Sequence, residues 1–409
     1  MKIRAFRALR PAEDMVEQVA SVPYDTINSS EARELADGKP YSFLHVIRPE
    51  IDLPEGIDVH GDSVYAKAAE NFQKFQQDGA LIREETPCLY LYRQKMGEHV
   101  QRGIVACCNV EAYDKGLILK HEKTRQDKED DRTMHVKTLE ANAGPIFLTY
   151  RDSASIDELI ATVEQEKPLY DLVSADGVGH TVWCISATSE LIEAFESVPC
   201  TYIADGHHRS AAAARTAREM AAVNPNHTGN EEYNWFQTVL FPATQLNILP
   251  YNRSVHDLNG LSEAEFMKAV QGKFNVEETD ESVPTSACAV NMYIGGKWYA
   301  LTWDLPQSDD PVEALDVSYL QNNLLSPVLG IDDPRTSTRI DFVGGIRGTE
   351  ALAKLVDSGK GAVAFSMAPV SVEQMMDIAD ADRIMPPKST WFEPKLRSGL
   401  LVHTLGEES

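Results

Sequence analysis

One stretch, residues 201–215, restricts the fold more than any other part of this chain. It reads TYIADGHHRSAAAAR, which predicts a short strand that ends at Ile203, a polar turn over 205–209 and a helix from Ser210 onward. Alanine is the strongest helix former, so the four consecutive alanines at 211–214 predict that the helix continues well past the turn. A fold that contains this unit must place a strand end and a helix start side by side.

The polar turn has the composition of an anion site. A helix start presents backbone N–H groups that have no partner within the helix, and the helix dipole adds partial positive charge. Gly206 lets the backbone approach a ligand, and Arg209 offers a planar fork of N–H donors to a phosphate. The alternative is a polar turn with surface histidines. The predicted phosphate-binding residues are Gly206, His207, His208, Arg209 and Ser210.

Length and charge limit the class of protein and its partners. The 409 residues are enough for two or three domains, and the formal net charge of −25 is expected to repel nucleic acid and anionic membranes. No run approaches the 18 apolar residues of a membrane span, and the first residues are too charged for a secretory signal. Six cysteines without a CxxC pair indicate free thiols and a cytoplasmic location. A small-molecule substrate is therefore expected, and the acidic surface is compatible with a homodimer.

A second polar concentration begins at Lys120, directly after an apolar run at 117–119, and continues with His121 and Glu122. Acidic and basic residues alternate from there to Thr133, and apolar residues are nearly absent. One interpretation is a solvated loop that leads into a charged helix. The other is a lid or a metal–phosphate loop held between packed elements.

A third concentration, MPPKSTWFEPK at 385–395, lies near the end of the chain. Its prolines stiffen the backbone, and its polar residues have the chemistry to bind a phosphate or a carboxylate. The alternative is a stiff segment with Trp391 and Phe392 packed inward and the lysines in water. The chain has no GxxxxGK[ST] sequence, so this is not a Walker motif. The candidate ligand-binding residues are Lys388, Ser389, Thr390 and Lys395.

The pattern of apolar residues predicts an α+β fold with mixed sheets and flanking helices. Residues 63–78 have an amphipathic helical pattern, residues 41–47 read as a strand, and Gly295-Gly296 indicates a hairpin turn. We place a domain boundary at 255/256. Residues 1–255 then form a nucleotide- or phosphate-binding core with insertions, and 256–409 form a C-terminal α+β lobe whose 385–395 segment can return to the site.

The three polar segments together resemble the domain-of-unknown-function family 1015, over almost the whole chain. The residues that carry the resemblance are PYD at 23–25, HEKT at 121–124, DR at 131–132, ANAGPIF at 141–147, ADGHHR at 204–209, LPYNR at 249–253 and PPKSTWFEPK at 386–395.

A more distant similarity concerns the turn and its Ala-rich helix, which resemble the phosphate-binding turn of the ParB/sulfiredoxin-like nucleotide-binding superfamily. This resemblance implies a ParB/sulfiredoxin-like core and a nucleotide, ATP or ADP with Mg²⁺, on residues 205–210. Sulfiredoxin-like enzymes carry a nucleophilic cysteine beside that turn, whereas this chain has Ala204, Asp205 and Gly206 there. The negative net charge fits DNA partitioning poorly. The branch of the superfamily that phosphorylates free serine fits best.

The residues and the resemblance leave three functional hypotheses open. The first is a nucleotide-dependent phosphotransferase that acts on a small hydroxylated metabolite, with free serine as one choice. The second is a metal-dependent phosphatase or hydrolase, and the third is a protein that binds nucleotide without catalysis. The candidate catalytic residues are Asp25, His121, Glu122 and Asp205, and the candidate metal ligands are Glu122 and Asp205.

Overall fold

The structure is a computed structural model that describes residues 1–306, 308 and 310–406. Its helices, in chain order, are α1 (Val16–Val19), α2 (Ser29–Ala36), α3 (Leu44–Ile47), α4 (Asp62–Gln77), α5 (Val110–Asp114), α6 (Gln126–Leu139), α7 (Ala154–Val163), α8 (Ser189–Glu196), α9 (His207–Val223), α10 (Glu263–Gln271), α11 (Asp316–Leu320), α12 (Gly348–Asp357) and α13 (Val372–Asp380). Short 3-10 or π turns occur at Pro49–Asp52, Glu232–Asn234, Ala243–Gln245, Gln321–Leu325 and Gly345–Arg347.

The strands form several separate sheets. In chain order they are β1 (Ile3–Arg4), β2 (Leu9–Pro11), β3 (Leu81–Arg83), β4 (Leu89–Met96), β5 (His99–Asn109), β6 (Ile118–Leu119), β7 (Ala141–Asn142), β8 (Ile146–Tyr150), β9 (Tyr170–Val173), β10 (Gly179–Ile185), β11 (Thr201–Asp205), β12 (Trp235–Pro242), β13 (Asn247–Leu249), β14 (Tyr251–Val255), β15 (Asn275–Thr279), β16 (Ala289–Ile294), β17 (Lys297–Thr302), β18 (Ile340–Gly344), β19 (Val363–Met367), β20 (Trp391–Glu393) and β21 (His403–Thr404). Helices and strands coexist in mixed sheets, so the α+β prediction is confirmed.

The chain divides into two compact units. The first contains Met1–Lys120, Thr124–Leu246 and the segment from Pro394 onward, and the second contains His121–Lys123 and Asn247–Glu393. The observed division at 246/247 lies a few residues before the predicted boundary at 255/256. The end of the chain belongs to the first unit, so this unit is discontinuous in sequence.

The first unit is built on a mixed sheet with the strand order β6-β11-β8-β12-β5-β4-β10-β9, to which β1 adds by pairing with β5. β11 pairs in parallel with β6 and antiparallel with β8, while β12 and β8 are parallel. β12 is buried along its whole length. A strand that is covered on both faces is mostly apolar, and the two polar residues of β12 are hydrogen-bonded: Gln237 donates to the Leu401 carbonyl and Thr238 to the Ala106 carbonyl.

Two hydrophobic clusters stabilise the first unit. One joins the large sheet to α5, α7, α8 and α9, and the other joins α2, α3 and α4 to Leu9 and Val402. The strand predicted at 41–47 is wrong, because Leu44–Ile47 is the short helix α3. Residues 42–44 are all buried. A short buried run shows no repeat of exposed positions, so its pattern cannot distinguish a strand from a helix.

The second unit has its own sheet, with the order β15-β17-β16-β19-β14-β18. The predicted hairpin is present, because β16 and β17 pair antiparallel and Gly295 and Gly296 both have positive φ at the turn. α12 packs on this sheet through Leu352, which is fully buried. A separate pairing of β13 with β20 brings the 391–393 segment beside 247–249.

Among the described residues, each helix is too short or too polar to span a bilayer.

Candidate phosphate-binding site at the start of helix α9

The predicted strand and helix are present as β11 and α9, but α9 begins at His207 and not at Ser210, so the predicted turn over 205–209 is reduced to Gly206. Gly206 has φ 105° and ψ 30°, a left-handed conformation that an L-residue with a side chain adopts at a cost. Ala211 to Ala214 are all buried. Small side chains let a helix approach its neighbours closely, so the alanine run that favours the helix also seats α9 in the core of the first unit.

A β-bulge precedes the turn. Ile203 pairs with Leu148, and the register then shifts so that Asp205 pairs with Phe147. A bulge re-aims the side chains that follow it, and here it sets the direction of Asp205 at the strand end. Ser210 then donates its Oγ–H to the Gly206 carbonyl at 3.0 Å and closes the first turn of α9.

Arg209 is held in place on several sides. Its Nη1 donates to the Pro145 carbonyl, and its Nη2 lies 3.3 Å from the Asp205 Oδ2. A Cβ added at Gly206 would lie 3.2 Å from the Arg209 Nε, and one at Gly144 would lie 3.4 Å from its Cδ. Because Gly206 and Gly144 have no side chains, there is space for the guanidinium of Arg209.

Asp205 has a second cationic partner from the end of the chain. Lys395 Nζ lies 3.4 Å from Asp205 Oδ2, and the Lys395 carbonyl accepts a hydrogen bond from Gln94 Nε2 at 2.9 Å. Burial by itself would raise the pKa of Asp205, but the charges of Lys395 and Arg209 outweigh it and hold that pKa well below its usual range. Asp205 is therefore ionised at neutral pH, and it is a weak base.

The two predicted histidines have different surroundings. His207 is buried, with 6% of its surface exposed. His208 is partly exposed, and its Nε2 accepts a hydrogen bond from the backbone N–H of Arg125 at 3.1 Å. An accepting Nε2 carries no proton, so His208 is neutral in this arrangement. This bond joins the residue before α6 to the start of α9.

The predicted catalytic residue Asp25 lies in a loop of the first unit, and its side chain is exposed. Burial by itself would lower the pKa of Arg209, but the charges of Asp205 and then Asp25 outweigh it and raise that pKa, which places Asp25 in the electrostatic surroundings of the turn. The preceding residue, Tyr24, is covered by the Arg132 guanidinium, whose Cζ lies 4.1 Å from the ring centroid. Burial, followed by the charge of Asp25, raises the pKa of the Tyr24 hydroxyl to about 12.

Arg132 is paired with a buried carboxylate. Its Nε and Nη2 both donate to Asp131 Oδ2, at 2.8 and 2.6 Å. The other oxygen, Asp131 Oδ1, accepts from Tyr65 at 2.7 Å and from His60 Nδ1 at 2.9 Å. Burial would raise the pKa of Asp131, but Arg132 and these donors lower it to about 2.

The remaining predicted residues belong to the second unit. The His121 carbonyl accepts a hydrogen bond from the Met385 N–H at 2.8 Å, and His121 Nε2 lies 3.3 Å from Thr390 Oγ1. Ser389 donates to the Pro386 carbonyl at 2.6 Å, and the ammonium of Lys388, whose φ is 57°, lies 5.5 Å from the Tyr251 ring centroid. The first residues of the 121–133 segment thus meet the 385–390 part of the third segment within the second unit. The roles of these residues, and of Glu122 as a metal ligand, stay predictions.

Sequence reasoning assigned no role to Tyr24, Arg132 or Gln94. The first two belong to motifs that carry the family resemblance, PYD and DR, and that was the available signal. The sequence offered no signal for Gln94, because an isolated glutamine in an apolar strand does not reveal which distant carbonyl it will bind.

A family model described as a protein of unknown function, DUF1015, matches residues 3–318. No curated protein matches the chain. Similar solved structures include a conserved hypothetical protein from Pyrococcus furiosus, with 13% identity, a TM-score of 0.37, and coverage of 72% of this chain and 95% of that chain.

Two further similar structures are of named proteins. One is a free serine kinase in complex with AMP, with 13% identity, a TM-score of 0.37, and coverage of 72% of this chain and 92% of that chain. The other is SbnI with a C-terminal truncation, from Staphylococcus aureus, with 12% identity, a TM-score of 0.41, and coverage of 73% and 87%. Structural similarity at this level carries no argument about activity, whereas the family match spans most of the sequence. The chain belongs to the DUF1015 family.

Proposed function

We propose that this protein is a nucleotide-dependent phosphotransferase that transfers a phosphoryl group to a hydroxyl of a small metabolite. The nucleotide phosphates bind at the start of α9, on the N–H groups that follow Gly206. Free serine is one acceptor that fits the family resemblance. The proposal concerns residues of the first unit, and it can be tested with nucleotides alone.

The observation that supports it is the pair of cationic side chains, Arg209 and Lys395, at this helix start. Their side chains are only 11% and 15% exposed. A helix N-terminus favours anions, and guanidinium and ammonium groups held out of bulk water strengthen that preference. In a chain of net charge −25, such a site has to be built from local cations.

The reaction needs charge neutralisation and a proton acceptor. The hydroxyl oxygen of the metabolite forms a bond to the γ-phosphorus of ATP, and the bond from that phosphorus to the β–γ bridging oxygen breaks. ADP leaves with the bonding electron pair, and the hydroxyl proton passes to a carboxylate. Asp25 is the stronger candidate base, because Asp205 is ion-paired and has a lowered pKa.

A magnesium ion, if the nucleotide brings one, would help to neutralise the phosphates. The carboxylate oxygens of Asp205 are the kind of ligand that Mg²⁺ prefers, and the lowered pKa of Asp205 keeps this carboxylate ionised. Lys395 and Arg209 already occupy this carboxylate, so the cation would have to share or displace them. The residues therefore fit a metal carried by the nucleotide better than a preformed metal site.

The test is isothermal titration of the full chain with ATP, ADP, inorganic phosphate and phosphoserine, each with and without magnesium. We expect ATP or ADP to bind, and we expect Arg209→Ala to weaken that binding by about tenfold or more, because a charge-assisted donor to phosphate is lost. ADP formation on addition of free serine and other small hydroxylated compounds would then test transfer.

The matched control is Arg218→Ala, which removes the same charge from the exposed side of α9. Arg218 pairs with Asp114, and its side chain is 56% exposed. Its loss should leave nucleotide affinity unchanged. If phosphoserine or phosphate binds and neither ATP nor ADP does, the phosphatase hypothesis is favoured. If a nucleotide binds but is not turned over, the non-catalytic hypothesis is favoured. If no nucleotide binds, or if Arg209→Ala and Arg218→Ala bind equally well, the proposal is wrong.

A further inference from the structure

Arg253 is a buried cation in the sheet of the second unit. It lies on β14, where it pairs with Phe342 of β18 and with Phe365 of β19, and only 2% of its surface is exposed. Directly paired residues of neighbouring strands share one face of a sheet, so two aromatic rings share the face of Arg253. Its Cζ lies 5.5 Å from the Phe342 ring centroid. The guanidinium is therefore removed from water and has aromatic neighbours.

Among the described residues, no carboxylate forms an ion pair with Arg253. Its Nη1 donates to the Tyr251 carbonyl, and its Nη2 donates to the Lys388 carbonyl at 3.2 Å. Burial, opposed only by Tyr251, lowers the pKa of Arg253 to about 10, so the group still carries its charge at neutral pH. Carbonyl oxygens carry only partial charges, so the positive charge of Arg253 is not neutralised by the residues around it.

Other arginines of low exposure in the described chain do have a counter-charge. Four of them have side chains that are at most 13% exposed, and each forms an ion pair: Arg10 with Glu84, Arg132 with Asp131, Arg209 with Asp205 and Arg397 with Asp176. Removing a charge from water is costly unless an opposite charge accompanies it. A buried arginine that lacks such a partner therefore indicates an anion that comes from outside the chain.

The backbone that accepts from Arg253 belongs to an exposed turn at residues 386–390. Ser389 closes this turn by donating its Oγ–H to the Pro386 carbonyl at 2.6 Å. Lys388 is exposed, and its ammonium lies 5.5 Å from the Tyr251 ring centroid. Tyr251 thus has one cation beside its ring and another bonded to its carbonyl. Because the protein interior screens a charge weakly, an anion on this turn would feel the buried guanidinium as well as the ammonium.

We propose that the 386–390 turn binds a doubly charged oxyanion, the group that a phosphate monoester carries, and that Lys388 contacts this anion while Arg253 stabilises it from beneath. The anion binds on the open surface of the turn, so the site requires no enclosed cavity. A phosphate monoester carries close to two negative charges at neutral pH, which two cations match. The site consists of residues of the second unit and does not depend on the proposed phosphotransfer.

The test follows hydrogen exchange of the full chain by mass spectrometry as inorganic phosphate is added at constant ionic strength. Arg209→Ala is present throughout, so that phosphate binding at the start of α9 is weakened. We expect phosphate to slow exchange of the backbone N–H groups at 388–391. In calorimetric titrations, Lys388→Ala should weaken phosphate binding by about tenfold or more, because the contacting charge is lost. Singly charged acetate should bind more weakly than phosphate by a similar factor.

Arg253→Met tests the buried charge, because it keeps an unbranched apolar stem and removes the guanidinium. It should weaken phosphate binding by about threefold or more. In phosphate-free buffer it should unfold at the same urea concentration as its parent or at a higher one, since a buried charge without a counter-charge is removed. The matched control is Lys354→Ala on α12, because that side chain is 80% exposed and belongs to the same unit. Its loss should leave phosphate affinity unchanged.

Three outcomes would overturn the proposal. The first is that phosphate leaves exchange at 388–391 unchanged. The second is that Lys388→Ala weakens binding no more than Lys354→Ala does. The third is that Arg253→Met unfolds at a lower urea concentration or does not fold, since Arg253 would then be a structural clamp that holds the turn through two carbonyls. A failure of ATP and ADP to bind would contradict the phosphotransferase proposal and leave this one standing.

Discussion

Lys395 Nζ lies 3.4 Å from Asp205 Oδ2, although the two residues are 190 positions apart in the chain. The contact neutralises the only side-chain carboxylate within the turn 205–210 and leaves a lysine beside the start of α9. A carboxylate paired with both Lys395 and Arg209 orients two cations. We therefore interpret Asp205 as the group that positions the anion site, and its predicted catalytic and metal-binding roles stay predictions.

Asp205→Asn should destabilise the first unit by about 1–3 kcal/mol at neutral pH, because Arg209 and Lys395, both mostly buried, lose the charge of this carboxylate. The pKa of Asp205 is lower in the folded chain than in the unfolded one, so its contribution is fully present above the unfolded pKa. The difference between wild type and variant should be constant above pH ~5 and shrink as the pH falls below ~4.

Urea unfolding from pH 3 to 8 measures this difference. Asp114→Asn is the control, since Asp114 pairs with Arg218 at the surface and its side chain is 42% exposed. Surface ion pairs contribute about 0–1 kcal/mol. An equal loss in both variants would contradict the role assigned to Asp205.

Gly206→Ala should lower both stability and anion affinity. Its positive φ costs an alanine about 1–2 kcal/mol, and the new Cβ would crowd Arg209. Gly229→Ala has a similar φ of 90° with nothing within 4 Å of the new Cβ, so it reports the backbone cost alone. Thermal unfolding and phosphate titration of both variants measure the two effects. We expect only Gly206→Ala to weaken phosphate binding, and a similar loss in Gly229→Ala would exclude a local cause.

Gln94 and Gln101 form a buried pair on adjacent strands, and they should be energetically coupled. Gln101 Nε2 donates to Gln94 Oε1 at 2.9 Å, Gln94 donates to the Lys395 carbonyl, and both side chains are fully buried. Gln94→Leu leaves a buried donor on Gln101 without its acceptor, which should cost about 1–3 kcal/mol.

A double-mutant cycle with Gln101→Leu tests this pair. The double variant should be more stable than the sum of the single losses predicts, by about 1 kcal/mol. Gln94→Leu should also weaken ATP binding if its hydrogen bond positions Lys395, whereas Gln101→Leu should do so less. Additive losses in stability would show that the two glutamines act independently.

His135 should make stability depend on pH between neutrality and pH ~4. Burial, followed by the charge of Arg132, lowers its pKa to about 4 in the folded chain, while an unfolded histidine has a pKa of ~6.5. The unfolded state therefore binds more protons in this window, and stability falls as the pH decreases through it. His135→Gln can still donate toward the Val46 carbonyl, which His135 Nε2 contacts at 3.0 Å.

Chemical unfolding at several pH values should show a smaller loss of stability between pH 7 and 4 in His135→Gln than in the wild type. His180 has a pKa lowered to about 3, by burial and then by Arg397, and it contributes a parallel slope that cancels in the comparison. Identical pH dependence in wild type and variant would mean that His135 is already protonated or already exposed in the folded chain.

Local sequence patterns determined the elements of this protein where they are strong. The alanine run predicted α9, Gly206 predicted the turn before it, and the amphipathic pattern at 63–78 predicted α4 to within one residue at each end. These features depend on backbone propensity and on the spacing of apolar residues along one helix. The strand predicted at 41–47 is wrong because this run is short and mostly buried. Such a run shows that the residues lie in the core, but it has no spacing of apolar residues that distinguishes a strand from a helix.

Only the tertiary structure decided which distant residues surround the turn. Lys395 reaches Asp205 because the chain end returns to the first unit, where Gln94 binds its carbonyl. Arg132 stacks on Tyr24 of a loop more than 100 residues earlier in the chain, and α6 packs beside α9, where Lys137 and Glu219 form an ion pair. Such contacts depend on the order of strands and the packing of helices, which no local pattern encodes. The sequence thus determined the helix start that can bind an anion, and the packing of the first unit determined which cations surround it.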